Sequence, residues 1–392
     1  MSGNRTAEKG AAAGPLHGVK VIELAALGPV PFAGMVLSDL GADVVRVDRT
    51  VPGSLAYGDP SKDVLGRNKR SVAIDLKHAE GLRVLVDLAL GADVLIEGFR
   101  PGVAERIGIG PERLREANRR LVYGRMTGWG RDGPLATTAG HDVNYISLSG
   151  VLAAIGRSGE RPVPPLNLVG DFGGGGMLLA LGVVSALLER ERSGLGQVVD
   201  AAMVDGSALL MAWHYGVHAQ GLWREERGTN LLDTGAPFYD VYETSDHRFV
   251  AVGPLEPEFY RHLLSLLGLG NDADFTPQED DDAWPIRSER LRELFSSRTR
   301  DEWCELFEGS DACVTPVLSM DEAPRHPHNI ARSTFVTVDG VLQPAPAPRF
   351  DATPLAIPRP PPRPGQHSEE VLRELGRSPG EIERLFADGV LV

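Results

Sequence analysis

Cysteine is scarce in this 392-residue chain, and its scarcity limits the classes of protein that the sequence can encode. Only Cys304 and Cys313 occur, so no disulfide framework is implied and a reducing, cytoplasmic location is expected. No spacing of residues resembles a zinc site, and no metal centre is expected. With 42% hydrophobic residues, the chain is long enough to form two domains around ordinary hydrophobic cores.

Positive charge and long apolar runs are also in short supply. Forty Lys and Arg face 54 Asp and Glu, which gives a formal net charge of -14. Nucleic acids and anionic membranes select basic surfaces, so neither is expected as the main partner. The apolar run from Met177 to Leu188 has about twelve residues, fewer than the roughly 20 of a membrane span. Residues 1–14 are small and polar, which predicts a disordered leader.

Strand and helix signals alternate from Gly18 onward. The pattern predicts strands at 19–24, 42–48, 70–75, 93–97, 121–126 and 196–200, with helices at 31–40 and 79–89. Strands separated by helices at this spacing predict an α/β fold with a mostly parallel sheet, which binds ligands at the carboxyl ends of its strands. The segment from Gly28 to Gly34 contains prolines where a dinucleotide-binding loop needs amides, so no dinucleotide site is expected.

Composition also predicts how the chain divides. The first part of a large domain is expected at 15–215, a linker at 216–227, a small α/β domain at 228–340, a proline-rich strap at 341–367 and a C-terminal helix at 368–392. An acidic loop near residues 272–282 has no balancing base in its own sequence. Because two prolines lie nearby and no glycine bounds the loop, a solvated loop is favoured over a metal site.

The most distinctive residues lie between Ala139 and Gly176. Gly140-His-Asp-Val-Asn-Tyr145 opens this stretch, and Gly170-Asp-Phe172 followed by four glycines closes it. Prolines between the two motifs predict loops on both sides. Asp171 is predicted to lie just before a helix, where a carboxylate can simply cap free amides, and the glycines would let a ligand approach the backbone. His141 is a candidate acid or base, although its spacing alone favours an ordinary surface or capping histidine.

Many motifs in the same order resemble the family III coenzyme A transferases. They are Pro15–Leu24, Ser38–Asp48, Glu97–Gly102, Thr127–Gly130, the Asp171 motif and Glu370–Gly376. Gly140–Tyr145, Val169–Gly174 and Ala236–Asp240 are similar to the α-methylacyl-CoA racemase branch of that family. The resemblance extends from about Pro15 to Val392.

The resemblance implies a large Rossmann-like domain that the C-terminal segment completes, together with a smaller α/β domain. It also implies a homodimer of two interlocked chains, with the active site where the large domain of one chain meets the small domain of the other. The implied activity is interconversion of (R)- and (S)-2-methylacyl-CoA thioesters. No separate cofactor is implied, because coenzyme A is part of the substrate.

Residue roles follow from the same resemblance. His141 and Asp171 match the acid/base pair, and Glu256 matches the carboxylate that supports the histidine. Positions that bind coenzyme A are matched by Arg49, Ile74, Lys77, Gly98, Phe99, Arg100, Arg106, Gly140, Asp142, Asn144 and Tyr145.

The chemistry agrees with two acid/base groups. Inverting an α-carbon requires removal of a proton from one face and delivery of a proton to the other, through a planar enolate. The developing oxyanion needs donors, for which backbone amides near His141 or in the 173–176 turn are candidates. Two alternatives stay open: a CoA-transferase that uses Asp171 as nucleophile, and a non-enzymatic acyl-CoA binding protein.

Overall fold

The computed structural model describes residues 14–51 and 58–392, so the predicted leader lies outside the described residues except for Gly14. The strands are β1 (Lys20–Leu24), β2 (Asp43–Asp48), β3 (Arg70–Ala73), β4 (Val94–Glu97), β5 (Val122–Thr127), β6 (Val198–Ala202), β7 (Asp240–Glu243), β8 (Phe249–Val252), β9 (Val314–Pro316), β10 (Phe335–Val338) and β11 (Val341–Pro344). The α-helices are α1 (Pro29–Asp39), α2 (Ala79–Leu90), α3 (Val103–Arg106), α4 (Pro111–Ala117), α5 (Asp142–Leu148), α6 (Val151–Ala154), α7 (Leu178–Ser193), α8 (Met203–Leu210), α9 (Ala212–Ala219), α10 (Pro257–Leu266), α11 (Trp284–Phe295), α12 (Arg300–Phe307), α13 (Pro327–Ala331), α14 (Ser368–Glu374) and α15 (Pro379–Ala387). A π-helix spans Leu168–Met177.

The chain forms two compact units. The first contains the described residues up to Ser149, together with Leu166–Leu210 and Ser333–Val392, and the second contains Gly150–Pro165 and Met211–Arg332. These divisions fall at other residues than the predicted borders, since 150–165 and 211–227 group with the second unit and 333–340 with the first. The second unit therefore includes Gly150–Pro165, which lies in the sequence between two segments of the first unit.

The first unit is built on one six-stranded sheet. Its strand order is β3-β2-β1-β4-β5-β6, and every neighbouring pair is parallel. This confirms the predicted α/β fold with a parallel sheet. Alternate residues along β1 face opposite sides, since Val21 packs in one hydrophobic cluster with α1 and α7 while Ile22 packs in another with α2 and α14. Both faces of the sheet are thus buried.

The C-terminal segment completes this unit at the edge formed by β3. The predicted single helix is two helices, and buried Leu372 and Leu385 join the cluster on the α2 side. Leu391 forms an antiparallel bridge with Ile74, and the Val392 N–H donates to Ala73 O at 3.3 Å. The last residues therefore cover an edge that the parallel strands leave open.

The second unit has an antiparallel sheet in the order β7-β8-β9. The predicted hairpin is observed as β7 and β8, and β9 adds a strand that the sequence pattern did not indicate. Tyr242 of β7 stacks on Phe295, whose ring also contacts Trp303. Helices α10, α11 and α12 cover this aromatic core.

The glycine-rich motif differs most from its prediction. Asp171 does not precede a helix, because the π-helix Leu168–Met177 runs directly into α7. The combined helix, Leu168–Ser193, has 26 residues and meets the length and composition needed to cross a membrane, with 44% of its most apolar part buried inside the protein. The sequence prediction of about twelve residues was therefore too short for this helix. A core helix of a soluble protein meets the same criteria, so length and composition do not show whether the helix lies in a membrane.

Close packing explains why consecutive glycines are helical here. A Cβ atom on Gly174 would lie 2.6 Å from the Ser207 nitrogen, and one on Gly206 would lie 1.9 Å from the Gly174 oxygen. On the other side, a Cβ on Gly176 would lie 2.5 Å from Pro29 O. Glycine costs a helix about 1 kcal/mol per residue, and the approach of α1 and α8 to the bare backbone offsets that cost. The glycines therefore allow α1 and α8 to pack against the backbone at the place where the sequence predicted a ligand.

Candidate active site

The predicted ligand-binding residues cluster at the carboxyl ends of the parallel strands. Arg49 follows β2, Lys77 follows β3, and Gly98–Arg100 follows β4. These loops lie along one edge of the sheet because all six strands run in the same direction. Gly98 lies against Ala26 and Val30, so the loops after β1 and β4 meet where the strand order reverses. Ligands of open α/β sheets bind at such a point.

Four predicted coenzyme A residues provide positive charge at this edge. They are all exposed, and none forms an ion pair within residues 14–51 and 58–392: Arg49, Lys77, Arg100 and Arg106. By contrast, buried Arg70 is engaged by Asp43, Glu370 and Glu374. Unpaired guanidinium and ammonium groups at the end of a sheet can bind phosphate groups.

A buried arginine that sequence reasoning missed holds the loop after β4. Arg125 donates from Nε to Glu97 at 3.1 Å and from Nη2 to Glu105 at 2.5 Å. Glu97 also accepts from the N–H of Phe99 at 2.5 Å. These bonds fix the backbone on which Phe99 and Arg100 lie. The available signal was an arginine in the otherwise apolar strand β5, whose residues are all buried.

Ile74 and the 140–145 motif occupy different surroundings from those predicted. The Ile74 side chain is 1% exposed within the hydrophobic cluster, so it supports the loop before Lys77 and does not offer a surface to a ligand. The Asn144 side chain accepts from the His141 N–H at 3.0 Å, and the Tyr145 hydroxyl donates to Gly140 O. These two side chains therefore stabilise the turn itself.

His141 is the N-cap residue of α5, with extended backbone at φ −136° and ψ 175°. Its side chain is exposed, and Tyr145 one turn later is buried with its ring edge against Trp129 at 4.8 Å between centroids. The predicted loop is therefore the first turn of a helix that the packing of Tyr145 holds in place. His141 is presented to solvent from a rigid position.

Asp171 lies in the first turn of the π-helix. Its N–H donates to Asp142 Oδ2 at 2.7 Å, and its carboxylate accepts from Asn167 Nδ2 at 3.0 Å. A Cβ on Gly28 would lie 2.7 Å from Asp171 Oδ2, so the carboxyl packs on bare backbone after β1. Burial raises the pKa of Asp171 and the charge of Asp142 raises it further, while Asn167 and His141 act in the opposite direction.

The structure therefore brings His141 and Asp171 together through Asp142. Asp142 follows His141 in the chain, and its carboxylate binds the Asp171 backbone. The predicted oxyanion donors at 173–176 lie inside the π-helix, where each amide bonds to the carbonyl five residues before it. The first N–H groups of α5, at Asp142 and Val143, have no intrahelical partner and remain the candidates.

Glu256 lies in the second unit as the exposed N-cap residue of α10, directly before Pro257. Cys313 lies in the same unit and is largely exposed. The partial burial of its thiol raises the pKa, and the charge of Glu256 raises it further. The support that Glu256 is predicted to give His141 stays a prediction.

Three comparisons place this geometry among known proteins. The chain is 49% identical to "Alpha-methylacyl-CoA racemase" of Mus musculus over 381 residues, with 96% of this chain and 97% of that protein covered. It is 48% identical to the Homo sapiens protein of the same name over 379 residues, with the same coverage. A CAIB/BAIF family protein from Brucella suis has a similar structure, with a TM-score of 0.79, 26% identity and coverage of 93% of this chain and 100% of the other.

The family assignment rests on nearly the whole chain. A family model described as CoA-transferase family III matches residues 16–368. The matched region contains the six-stranded sheet, the helix start at His141 and the π-helix of Asp171. The sequence and the fold agree, and the chain belongs to CoA-transferase family III.

Proposed function

We propose that this protein is a racemase that interconverts (R)- and (S)-2-methylacyl-CoA thioesters by 1,1-proton transfer. The identity of 49% to the mouse racemase over nearly the full length supports this activity. The observation that carries it is the hydrogen bond between Asp171 N and Asp142 Oδ2, which holds a carboxyl group beside the histidine that precedes Asp142. This bond would hold the two proposed acid/base groups close to each other at the carboxyl edge of the sheet.

The proposed reaction passes through an enolate. In one direction His141 removes the α-proton and protonated Asp171 delivers a proton to the opposite face; in the other direction the roles exchange. The pKa of Asp171, which burial raises, favours a carboxyl group that can hold the proton it must deliver. The free N–H groups at the start of α5 are proposed to stabilise the enolate oxygen. We propose Glu256 as the carboxylate that orients His141.

Coenzyme A is proposed to bind along the carboxyl edge of the sheet. Its phosphate groups would be bound by Arg49, Lys77, Arg100 and Arg106, which are exposed and form no ion pair within the part of the chain that the structure describes. Backbone from the Gly98–Phe99 loop and the turn at Gly140 would add to this site. No separate cofactor is proposed, because proton transfer needs no redox group and the thioester itself acidifies the α-proton. Fatty acyl or sterol side chains would equally satisfy this binding mode.

A homodimer and a cytoplasmic location are also proposed. Support for the dimer comes from apolar residues on one side of the helix 168–193, where Met177, Leu181 and Leu188 are 47%, 62% and 59% exposed. Large exposed apolar surfaces usually mark interaction sites. The interlocked arrangement rests on the family resemblance, and the location rests on the two free cysteines.

A CoA-transferase is the second candidate, because Asp171 can serve as a nucleophile on the same fold. The position of His141 favours the racemase. A transferase has no need of a histidine beside the α-carbon, whereas proton transfer across the enolate requires a second group.

The test is incubation of one enantiomer of a 2-methylacyl-CoA with the protein in deuterated water, without an added acid acceptor. We expect α-deuterium incorporation together with loss of chirality. In His141→Ala and Asp171→Ala the rate should fall by about 10²–10⁴-fold, the usual contribution of a positioned acid or base. Asp274→Ala, which removes an exposed carboxylate of the second unit, serves as the matched control and should leave the rate unchanged.

The opposite outcome identifies the alternative. If the α-proton did not exchange while added free acids acquired coenzyme A, and if hydroxylamine trapped an adduct on Asp171, the transferase assignment would replace the racemase. Binding of acyl-CoA without either reaction, unaffected by both alanine variants, would indicate a binding protein.

A further inference from the structure

We propose that the side chain of Asp142 is a positioning residue for proton transfer and not a ligand of coenzyme A. It fixes the backbone of Asp171 next to His141 and places a second negative charge beside the Asp171 carboxyl. This inference rests on the proposed function, since it assigns a task to a third residue of the same site.

The hydrogen bonds of Asp142 show what its carboxylate does. The side chain is 7% exposed, and Oδ2 accepts from the Asp171 N–H at 2.7 Å. The first amides of a helix have no intrahelical partner, so this bond satisfies one free amide of the π-helix from a neighbouring helix. Because Asp142 directly follows His141, movement of either helix start would change the separation of His141 and Asp171.

The packing around Gly170 shows that this contact is built into the fold. A Cβ atom at position 170 would lie 2.4 Å from Asp142 Oδ2 and 2.9 Å from Asp142 Cγ. Any side chain there would displace the carboxylate from the amide that it binds. Gly170 therefore leaves the space that the carboxylate of Asp142 occupies.

The second oxygen of Asp142 remains uncompensated. Oδ1 is buried and has no hydrogen-bond partner among the described residues. This second carboxylate lies close to Asp171, and the repulsion between two like charges raises the pKa of Asp171. A positively charged side chain in place of Asp142 would lower the pKa of Asp171, whereas the carboxylate that is present raises it.

The groups that face the Asp171 carboxyl are few. From α5 they are His141, Asp142 and the Tyr145 hydroxyl, and Asn167 faces it from its own helix. Gly28, which precedes α1, also packs on the Asp171 carboxyl. Phe32 of α1 stacks on Phe172, and Gly206 and Ser207 of α8 pack on Gly174, so the contacts of these two helices with the π-helix are uncharged. The negative charge that opposes ionisation of Asp171 is thus that of Asp142.

This arrangement has a consequence for the pH dependence. The pair of His141 and Asp171 transfers a proton in either direction only when it carries one proton, so the activity falls when a second proton binds Asp171. Both enantiomers must therefore show the same profile of kcat/KM against pH. Burial and the Asp142 charge raise the pKa of Asp171, which moves the acid limb of this profile to higher pH.

The experiment compares Asp142→Asn with the unmodified protein, with α-deuterium exchange measured for both enantiomers from about pH 4 to 9. The asparagine can still accept from the Asp171 N–H but carries no charge. Removing the negative charge makes Asp171 easier to ionise, so we expect the acid limb to move to lower pH and the maximal rate to fall for both enantiomers. KM for the acyl-CoA should stay within about two-fold, because the binding groups are untouched.

Gly170→Ala tests the position separately from the charge. The added methyl group displaces the carboxylate, and we expect kcat to fall by roughly 10–100-fold, as misplacement of a reacting group does. Gly173→Ala is the matched control, because a Cβ there meets Leu168 O at 3.1 Å and Leu210 at 3.3 Å and does not meet Asp142. Glu112→Gln removes an exposed carboxylate from the first turn of α4 and controls for net charge.

The outcomes separate this inference from the proposed function. A raised KM with an unshifted pH profile in Asp142→Asn would return Asp142 to the coenzyme A site and overturn the inference. If His141→Ala and Asp171→Ala retained exchange, the proposed function would fail first. If Asp142→Asn did not fold, equal kcat values for Gly170→Ala and Gly173→Ala would still refute the positioning role.

Discussion

Two groups of carboxylates in this protein have opposite surroundings. Asp142 is buried and its carboxylate binds the Asp171 N–H, Asp171 is half-buried, and burial raises the pKa of the Asp171 carboxyl. In the acidic loop, Arg290 binds Asp272 at 2.5 Å and Asp274 at 3.0 Å, and these contacts lower the pKa of Asp272. The loop has more charged residues, whereas neither Asp142 nor Asp171 forms an ion pair among the residues that the structure describes. Desolvation without a partner, and not charge density, marks the reactive group.

The buried pair of Glu23 and Lys69 sharpens this comparison, because both side chains are removed from solvent and form an ion pair. Lys69 donates from Nζ to Glu23 at 2.6 Å and to Pro31 O at 2.9 Å, and both side chains are 0% exposed. Lys69→Met would leave Glu23 buried without its counterion. We expect the free energy of unfolding to fall by about 3–5 kcal/mol, measured by urea denaturation near neutral pH.

The pH dependence of that variant gives a second measurement. Burial raises the pKa of Glu23, and Lys69 opposes the increase. Without Lys69 the carboxyl binds its proton still more tightly in the folded state, so the variant is most stable at low pH and loses stability as pH rises through the folded pKa. Combining Lys69→Met with Glu23→Gln should recover part of the loss. If Lys69→Met were as stable as the double variant, the charge of Glu23 would not destabilise the fold in the absence of Lys69, contrary to this prediction.

Arg106 tests whether an exposed arginine at the proposed coenzyme A site has a different role from an exposed arginine at the acidic loop. It is unpaired at the end of α3 within the described residues, whereas Arg290 is engaged by the acidic loop. For Arg106→Ala we expect KM to rise by roughly ten-fold for every acyl-CoA, the effect of losing one charge-assisted hydrogen bond, with kcat little changed. Arg192→Ala, an exposed arginine in the last turn of α7, is the control. An unchanged KM would remove Arg106 from the phosphate site.

The smallest effect is expected in the acidic loop. Arg290→Ala should leave both the thermal midpoint and the exchange rate unchanged within error, because surface ion pairs contribute little net stability. The Arg290 guanidinium also lies over the Phe275 ring, with Cζ 4.8 Å from the ring centroid. A clear fall in the midpoint would therefore assign the loop a structural role that the ion pairs alone do not supply.

Local sequence patterns predicted the parallel sheet well. Apolar strands such as β2 and β4 are buried on both faces and bounded by turn residues, so their positions can be identified from sequence with an error of one or two residues. The acidic loop has no balancing base in its own sequence, but Arg287 and Arg290 of α11 form ion pairs with it. Helix α11 follows the loop in the sequence, and its arginines fold back to contact the loop carboxylates. The local sequence of the loop does not specify that contact.

The site was predicted in its residue types but not in its geometry. His141 and Asp171 were identified through motifs, whereas the helical state of the glycines depends on Pro29 and Ser207, which are distant in sequence. Intrinsic propensity disfavours glycine in helices, so the packing that overrides it is invisible to a local pattern. The bond from Asp171 to Asp142 joins residues 29 positions apart and could not be inferred from either motif alone.

The pairing of Leu391 with Ile74 constrains the order in which the protein can be made and folded. Every residue of the second unit lies between Gly150 and Arg332, so that unit can fold during synthesis, before residues 368–392 have left the ribosome. The first unit begins earlier in the chain but keeps the open edge of β3 until those last residues arrive. The second unit can therefore complete its fold while the first unit still has an open sheet edge, and such an edge is prone to pair with other chains.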